Sequence, residues 1–122
     1  CRHQWFSAAN GRFRAYYGNG TTGQGADLAY TGNLNDGVWH HICITFHKED
    51  GYFNLYIDGS FVSGTTGGAS LAGSKNTSLF IGSAIGGTIM FFPGSLSTVA
   101  LYNRALTAPE VQGLYLAGIH GV

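Results

Sequence analysis

One hundred and twenty-two residues with six Lys plus Arg and six Asp plus Glu carry no net charge, and charged residues are only 10% of the chain. Such a balance excludes nucleic acid as a partner, which requires a basic footprint, and no apolar run approaches the length of a membrane-spanning helix. The length is that of one domain, 1–122. Twenty glycines with only two prolines and no collagen period point to tight turns in a sheet protein. The chain begins at Cys1 rather than Met, as when an upstream segment has been removed.

Taken in order, Gln4-Trp5-Phe6-Ser7-Ala8 and Arg12-Phe13-Arg14-Ala15-Tyr16-Tyr17 flank Asn10-Gly11, the strongest short hairpin signal. Residues 18–26 form a polar glycine-rich loop; no GK[ST] follows, so it is not a phosphate-binding loop. A short strand is expected at Asp27 to Tyr30. Between Asp36-Gly37 and Asp58-Gly59 the chain reads as a hairpin over 38–59. Ile42, Ile44 and Phe46 alternate, Leu55 and Ile57 alternate, and Asp50-Gly51 supplies the turn. Beyond it, after Ser60 to Ser63, Gly64 to Gly68 reads as a loop of small residues, and strands are expected at 78–82 and 94–102. Thr107-Ala108-Pro109-Glu110 has the spacing of a capping box, predicting a helix over about 108–116 that buries Val111, Leu114 and Tyr115 and stops at Gly118. The inner faces are expected to hold Ile42, Ile44, Leu55, Ile57, Ile81, Val99 and Leu101.

The identities at these positions carry a resemblance. Asp36-Gly37-x-Trp39-His40-His41-x-x-x-Thr45, then Asn54-Leu55-Tyr56-Ile57-Asp58-Gly59, resembles the central signature of laminin-G-like domains, jelly-roll sandwiches of the concanavalin A-like lectin and glucanase superfamily. Leu79-Phe80-Ile81-Gly82, Phe92-Pro93-Gly94-Ser95-Leu96 and Val99 through Thr107 follow in the family's order. The resemblance implies an all-β, antiparallel jelly-roll sandwich with one short C-terminal helix. It also implies one or two strands upstream of the matched region that this chain does not supply. Trp39, His40, His41, Asp58 and Gly59 are its structural signature.

No catalytic site is expected. The six carboxylates, Asp27, Asp36, Glu49, Asp50, Asp58 and Glu110, do not form the alternating acid run of the superfamily's glucanases. Asp36 and Asp58 suit turn roles through their backbone. The five histidines, His3, His40, His41, His47 and His120, lack the spacing of a zinc site, and the His40–His41 pair reads as structural, one imidazole hydrogen-bonded beneath the hairpin. The resemblance brings calcium through acidic loop residues, but Ser97, Thr98 and Ala100 stand where those acids are common. No cofactor is therefore expected, with calcium only an option that the resemblance leaves open. Asn19 and Asn76 open glycosylation sequons. Cys1 and Cys43 allow one disulfide, closing a loop worth roughly 3–4 kcal/mol; the alternative is that Cys43 is a buried free thiol, and the extracellular look of the family favours the bridge.

Two functions follow as expectations. One is an extracellular or cell-surface, non-catalytic binding and adhesion module that recognises carbohydrate or protein, with Tyr16, Tyr17, Tyr30 and Tyr52 as stacking candidates. The other is a homo-oligomer or self-assembling extracellular filament, each subunit completed by a neighbour's strand.

Overall fold

The structure, a computed structural model, describes residues 4–7, 13–18, 25–47, 49–66, 81–83 and 91–119. Within them the protein is antiparallel β with one C-terminal helix. Strands β1 (Gln4–Ser7), β2 (Phe13–Gly18) and β3 (Gly25–Tyr30) form one meander. Strands β4 (Ile42–Phe46), β5 (Tyr52–Ile57) and β6 (Ser60–Thr66) form a second, and α1 spans Ala108–Ile119. The aromatic-rich runs either side of Asn10-Gly11 pair as expected, Trp5 opposite Tyr16 and Ser7 opposite Arg14. The turn itself lies outside the described residues.

The two sheets pack through Phe13 and Leu28 of the first against Phe53, Leu55 and Ile57 of the second, with Tyr30, Leu34, Ile44, Phe46 and Val62 around them. Strand β5 is central in its sheet and covered on both sides. Phe53, Leu55 and Ile57 face the other sheet, while Tyr56, on the opposite face, is buried with Leu106 and Val111. Double coverage explains why this strand reads as a nearly continuous apolar run rather than a clean alternation. A bulge between Leu55 and Tyr56 sets Ser63 and Phe61 opposite them, leaving Val62 as the extra residue. Phe61 then meets Tyr56 edge-on, ring centroids 5.8 Å apart.

Several expected elements differ. Strand β6 runs on through Gly64, Thr65 and Thr66, where a loop of small residues was expected, because β5 supplies hydrogen-bond partners out to Tyr52 opposite Thr66. Residues 94–102 are not a strand, and Ile81, Val99 and Leu101 are exposed rather than inner-facing: among the described residues no layer lies over them. Ile42 has the inward parity but sits at the opening end of an edge strand and is partly exposed. The helix passes through Gly118, which has no left-handed φ and so forms no helix stop, and ends at Ile119. Leu114 faces solvent, whereas Val111 is fully buried and Tyr115 half-buried. Of the strand expected at 78–82, residues 78–80 lie outside the described residues and residues 81–82 form a bend.

The helix start is a closed capping box. Glu110 N donates to Thr107 Oγ1 at 3.4 Å and Thr107 N donates to Glu110 Oε2 at 2.8 Å. Arg104 adds a two-pronged ion pair to the same carboxylate at 2.8 and 2.7 Å. Arg104 first, then the Thr107 amide, hold the Glu110 carboxyl at about 2. No helix among the described residues is long and apolar enough to cross a membrane.

Two substitutions probe these layers in opposite directions. Leu55 is 0% exposed, so Leu55→Ala should lower unfolding free energy by about 2–5 kcal/mol. Gly113 lies mid-helix with open space where a Cβ would stand, so Gly113→Ala should raise it by about 0.5–1 kcal/mol. Urea denaturation midpoints check both signs.

Candidate functional site

The candidate site is loop 31–41 with the Asp58–Gly59 turn beneath it. Ile57 and Ser60 pair directly, so Asp58 and Gly59 are the whole β5–β6 connection. Both have positive φ, 51° and 77°, the primed two-residue turn that matches strand twist. Asp tolerates this region better than most side chains, and glycine tolerates it freely. Gly59 is required twice over, since a Cβ there would stand 3.0 Å from Tyr115 Cδ1 and 3.3 Å from Gln112 Cα. The turn can therefore lie directly against α1.

From this turn the Asp58 carboxylate reaches back to the strand entering β4. Its Oδ1 accepts from the His41 amide at 2.9 Å and its Oδ2 pairs with His40 Nδ1 at 2.8 Å, while Asp58 N donates to the His41 carbonyl at 2.8 Å. The other ring nitrogen, His40 Nε2, lies 3.0 Å from Asp36 Oδ1, which also accepts from Val38 N at 3.1 Å. A carboxylate accepts and does not donate, so satisfying both contacts requires both ring nitrogens to carry protons. The Asp58 hydrogen bond accordingly raises the His40 pKa above its ordinary value, with Asp36 adding to it. The Val38 amide first, then His40, lowers that of Asp36.

His41 points the other way. Its ring stands near Tyr115, centroids 6.2 Å apart, its Nδ1 is buried without a hydrogen-bond partner, and burial lowers its pKa. Adjacent histidines thus serve opposite faces, the protonated form favoured in one and the neutral form in the other. Trp39, between the Asp36 turn and His40, is 69% exposed, and Val38 is exposed beside it. Asn33 Oδ1 accepts from Asn35 N at 2.9 Å, bracing the preceding stretch of the loop.

The signature residues His40, His41, Asp58 and Gly59 therefore come together, with Trp39 on the outer surface of the same loop. The side-chain role of Asp36 was not anticipated; the signal was its i, i+4 spacing to His40. Tyr52 is exposed at the β4–β5 turn and Tyr30 packs against the core. The side chains of Tyr16 and Tyr17, and all of Asn19 and Asn76, fall outside what is described. Cys43, a free cysteine among the described residues, is half-buried beside Tyr56, Leu106 and Val111, and burial raises its pKa; Cys1, its partner in the expected disulfide, lies outside the described residues. Among the described residues no three His, Cys, Asp or Glu side chains are grouped to hold a metal. A shallow groove of about 300 Å³ lies apart from the loop, between Tyr102, Arg104, Leu106 and α1 residues Glu110, Gly113 and Leu114.

The two histidines give stability opposite pH dependences. His40 binds its proton more tightly folded than unfolded, so its contribution is complete below 6.5 and is lost as pH rises through the raised folded value. His41 binds its proton less tightly folded, so its contribution is present above 6.5 and is lost as pH falls through the lowered value. Asp36 contributes above 3.8 and loses that contribution as pH falls through its lowered folded value. The stability gap between wild type and His40→Gln should therefore be widest between 3.8 and 6.5 and shrink on going alkaline. For His41→Phe the variant's advantage should instead grow toward acid pH. Denaturation midpoints across pH for both variants check the signs.

Comparison with known proteins agrees with this framework. A sequence profile described as the concanavalin A-like lectin/glucanases superfamily matches residues 2–112. The mouse (Mus musculus) sushi, von Willebrand factor type A, EGF and pentraxin domain-containing protein 1 is 32% identical over 98 residues, covering 66% of this chain and 2% of that protein. Human neuronal pentraxin-1 is 32% identical over 93 residues, covering 66% of this chain and 20% of that protein. The chain thus spans a small part of the curated relatives it matches. Among solved structures, a Clostridium thermocellum S-layer domain-containing protein (residues 221-444) aligns with TM-score 0.49 and 21% identity, over 86% of this chain and 52% of that one. This chain belongs to the concanavalin A-like lectin/glucanases superfamily.

Proposed function

We propose that the chain forms a single non-catalytic binding module, extracellular or at the cell surface, that meets its ligand at loop 31–41. The carrying observation is Trp39, an exposed indole on a loop pinned by charge-assisted hydrogen bonds on either side of it. An indole costs little conformational entropy to immobilise and offers a large flat apolar face with one N–H donor. A pinned loop keeps that face oriented before the ligand arrives, which reduces the ordering cost of binding. The chemistry suits a carbohydrate, whose C–H face stacks on the ring while its hydroxyls meet the loop's Asn and Asp groups. Binding through a protein surface is the other outcome the experiment can return.

The superfamily's description names both lectins and glucanases, and the described carboxylates favour the former. Asp36 and Asp58 are engaged by His40, Glu110 by Arg104 and the helix cap, and Asp50 Oδ1 by the Tyr52 amide of its own turn. Cleaving a glycoside requires one carboxyl held protonated opposite a second, and the shifts of Asp36 and Glu110 both run downward.

A glycan array probed with and without calcium tests this reading. Binding should persist in chelator, and Trp39→Ala should weaken it at least about tenfold without moving the denaturation midpoint. Binding indifferent to Trp39, or hydrolysis of a β-glucan, would contradict it.

A further inference from the structure

One imidazole ties the exposed part of loop 31–41 to the sheet. His40 Nδ1 meets Asp58 Oδ2 on the β5–β6 turn at 2.8 Å, and its Nε2 meets Asp36 Oδ1 within the loop at 3.0 Å. Between Asp36 and His40 lie Gly37, Val38 and Trp39, and packing does little to hold them. Gly37 has a φ of 83° with open space where a Cβ would stand, and Val38 and Trp39 are 63% and 69% exposed. Their course is set instead by Asp36, whose Oδ1 faces both Val38 N and the His40 ring.

The two contacts answer differently to the loss of one proton. An imidazolium donates through both nitrogens, a neutral ring through only one. The bare nitrogen then faces a carboxylate oxygen, acceptor against acceptor, and that contact opens to water. The proton that remains is the one on Nδ1. The Asp58 contact is the shorter, and the Asp58 carboxylate is fixed further by the His41 amide at 2.9 Å. The Asp36 side chain, 42% exposed, can swing into solvent instead. Among the described residues the charges that bear on the ring are these two, Asp36 from the loop and Asp58 from the turn. His41, next in sequence, turns its own ring toward Tyr115 of α1.

We propose that proton loss from His40 opens its contact with Asp36, keeps that with Asp58, and so frees residues 36–39, making the Trp39 surface a pH-gated one. Both carboxylates favour the charged ring, so the step lies above 6.5. The loop is ordered below the step and loose above it, and binding weakens as pH rises because less of the protein holds the competent form. The consequence for binding rests on the Trp39 reading above; the response of the loop does not.

Carbon-13 relaxation at the Cα–H groups of Gly37, Val38 and Trp39, whose protons do not exchange with water, tests the gate directly. Between about pH 5.5 and about pH 9, which bracket a histidine raised in this way, order parameters should fall from about 0.85 to below about 0.6. Asp36→Ala should leave the loop loose at both pH values. Asp36→Asn should leave it ordered at both, since a carboxamide offers its oxygen to the charged ring and an N–H to the neutral one. His41 titrates below 6.5, and a step carried by His41 would survive Asp36→Asn. A wild-type loop equally ordered or equally loose at both pH values overturns the proposal, as does a step that persists in Asp36→Asn. The glycan array read at the same two pH values should lose at least about fivefold in binding for wild type and stay level for Asp36→Asn. Wild-type binding that is unchanged while the loop loosens overturns the gate. A loop step with no glycan held at either pH upholds the gate and sinks the Trp39 reading.

Discussion

The Asp58 carboxylate is the point on which the second sheet and the candidate loop both depend. It sits at a position with φ of 51°, a conformation costing a side-chain-bearing residue roughly 1–2 kcal/mol, and its hydrogen bonds offset that cost. One oxygen fixes the His41 amide at the entrance to β4, the other fixes the His40 ring, and the Asp58 amide closes the same pair of strands from the opposite direction. The turn next to it has no side chain at Gly59, which lets Tyr115 and Gln112 of α1 approach. A single residue therefore couples the β5–β6 turn, the β4–β5 ladder, the orientation of loop 31–41 and the seat of the helix.

The face of the second sheet beneath α1 is less uniformly apolar than the face against the first sheet. Tyr56, Leu106 and Val111 bury well there, but Thr45 Oγ1 and His41 Nδ1 are buried without partners. Unpaired buried polar atoms cost about 1–3 kcal/mol each. Stability is consequently carried mainly by the inner layer of Phe13, Leu28, Phe53, Leu55 and Ile57. The helix contributes through Val111 and its capping box, where Thr107, Glu110 and Arg104 satisfy one another at the surface.

How far the sequence disclosed this arrangement varies with the range of the interaction. The central hairpin was legible because alternation and Asp-Gly turns are local signals, and the capping box was legible because Thr107 and Glu110 are three residues apart. Gly64-Thr65-Thr66 was read as loop because glycine lowers strand propensity, yet the ladder offered by β5 overrode it. Val99 and Leu101 were read as inner-facing because they alternate, but alternation reports a tendency toward strand and not whether another layer lies over it. The fold class was carried by residue identities more than by periodicity. Of the site, the His40–His41 split was visible in strand parity, whereas the carboxylates on both sides of His40 come from residues 18 positions apart in one case and from an overlooked i, i+4 spacing in the other.

His40, bridged between two carboxylates that favour its protonated form, holds an exposed tryptophan loop to a strand turn, next to a histidine whose neutral form burial favours. Nitrogen-15 NMR of the histidine rings over a pH titration measures this directly. His40 should keep protons on both ring nitrogens as pH rises past 6.5, while His41 should lose its charge below it. A His40 that titrates below His41, or shows a single neutral tautomer at pH 6.5, would contradict it.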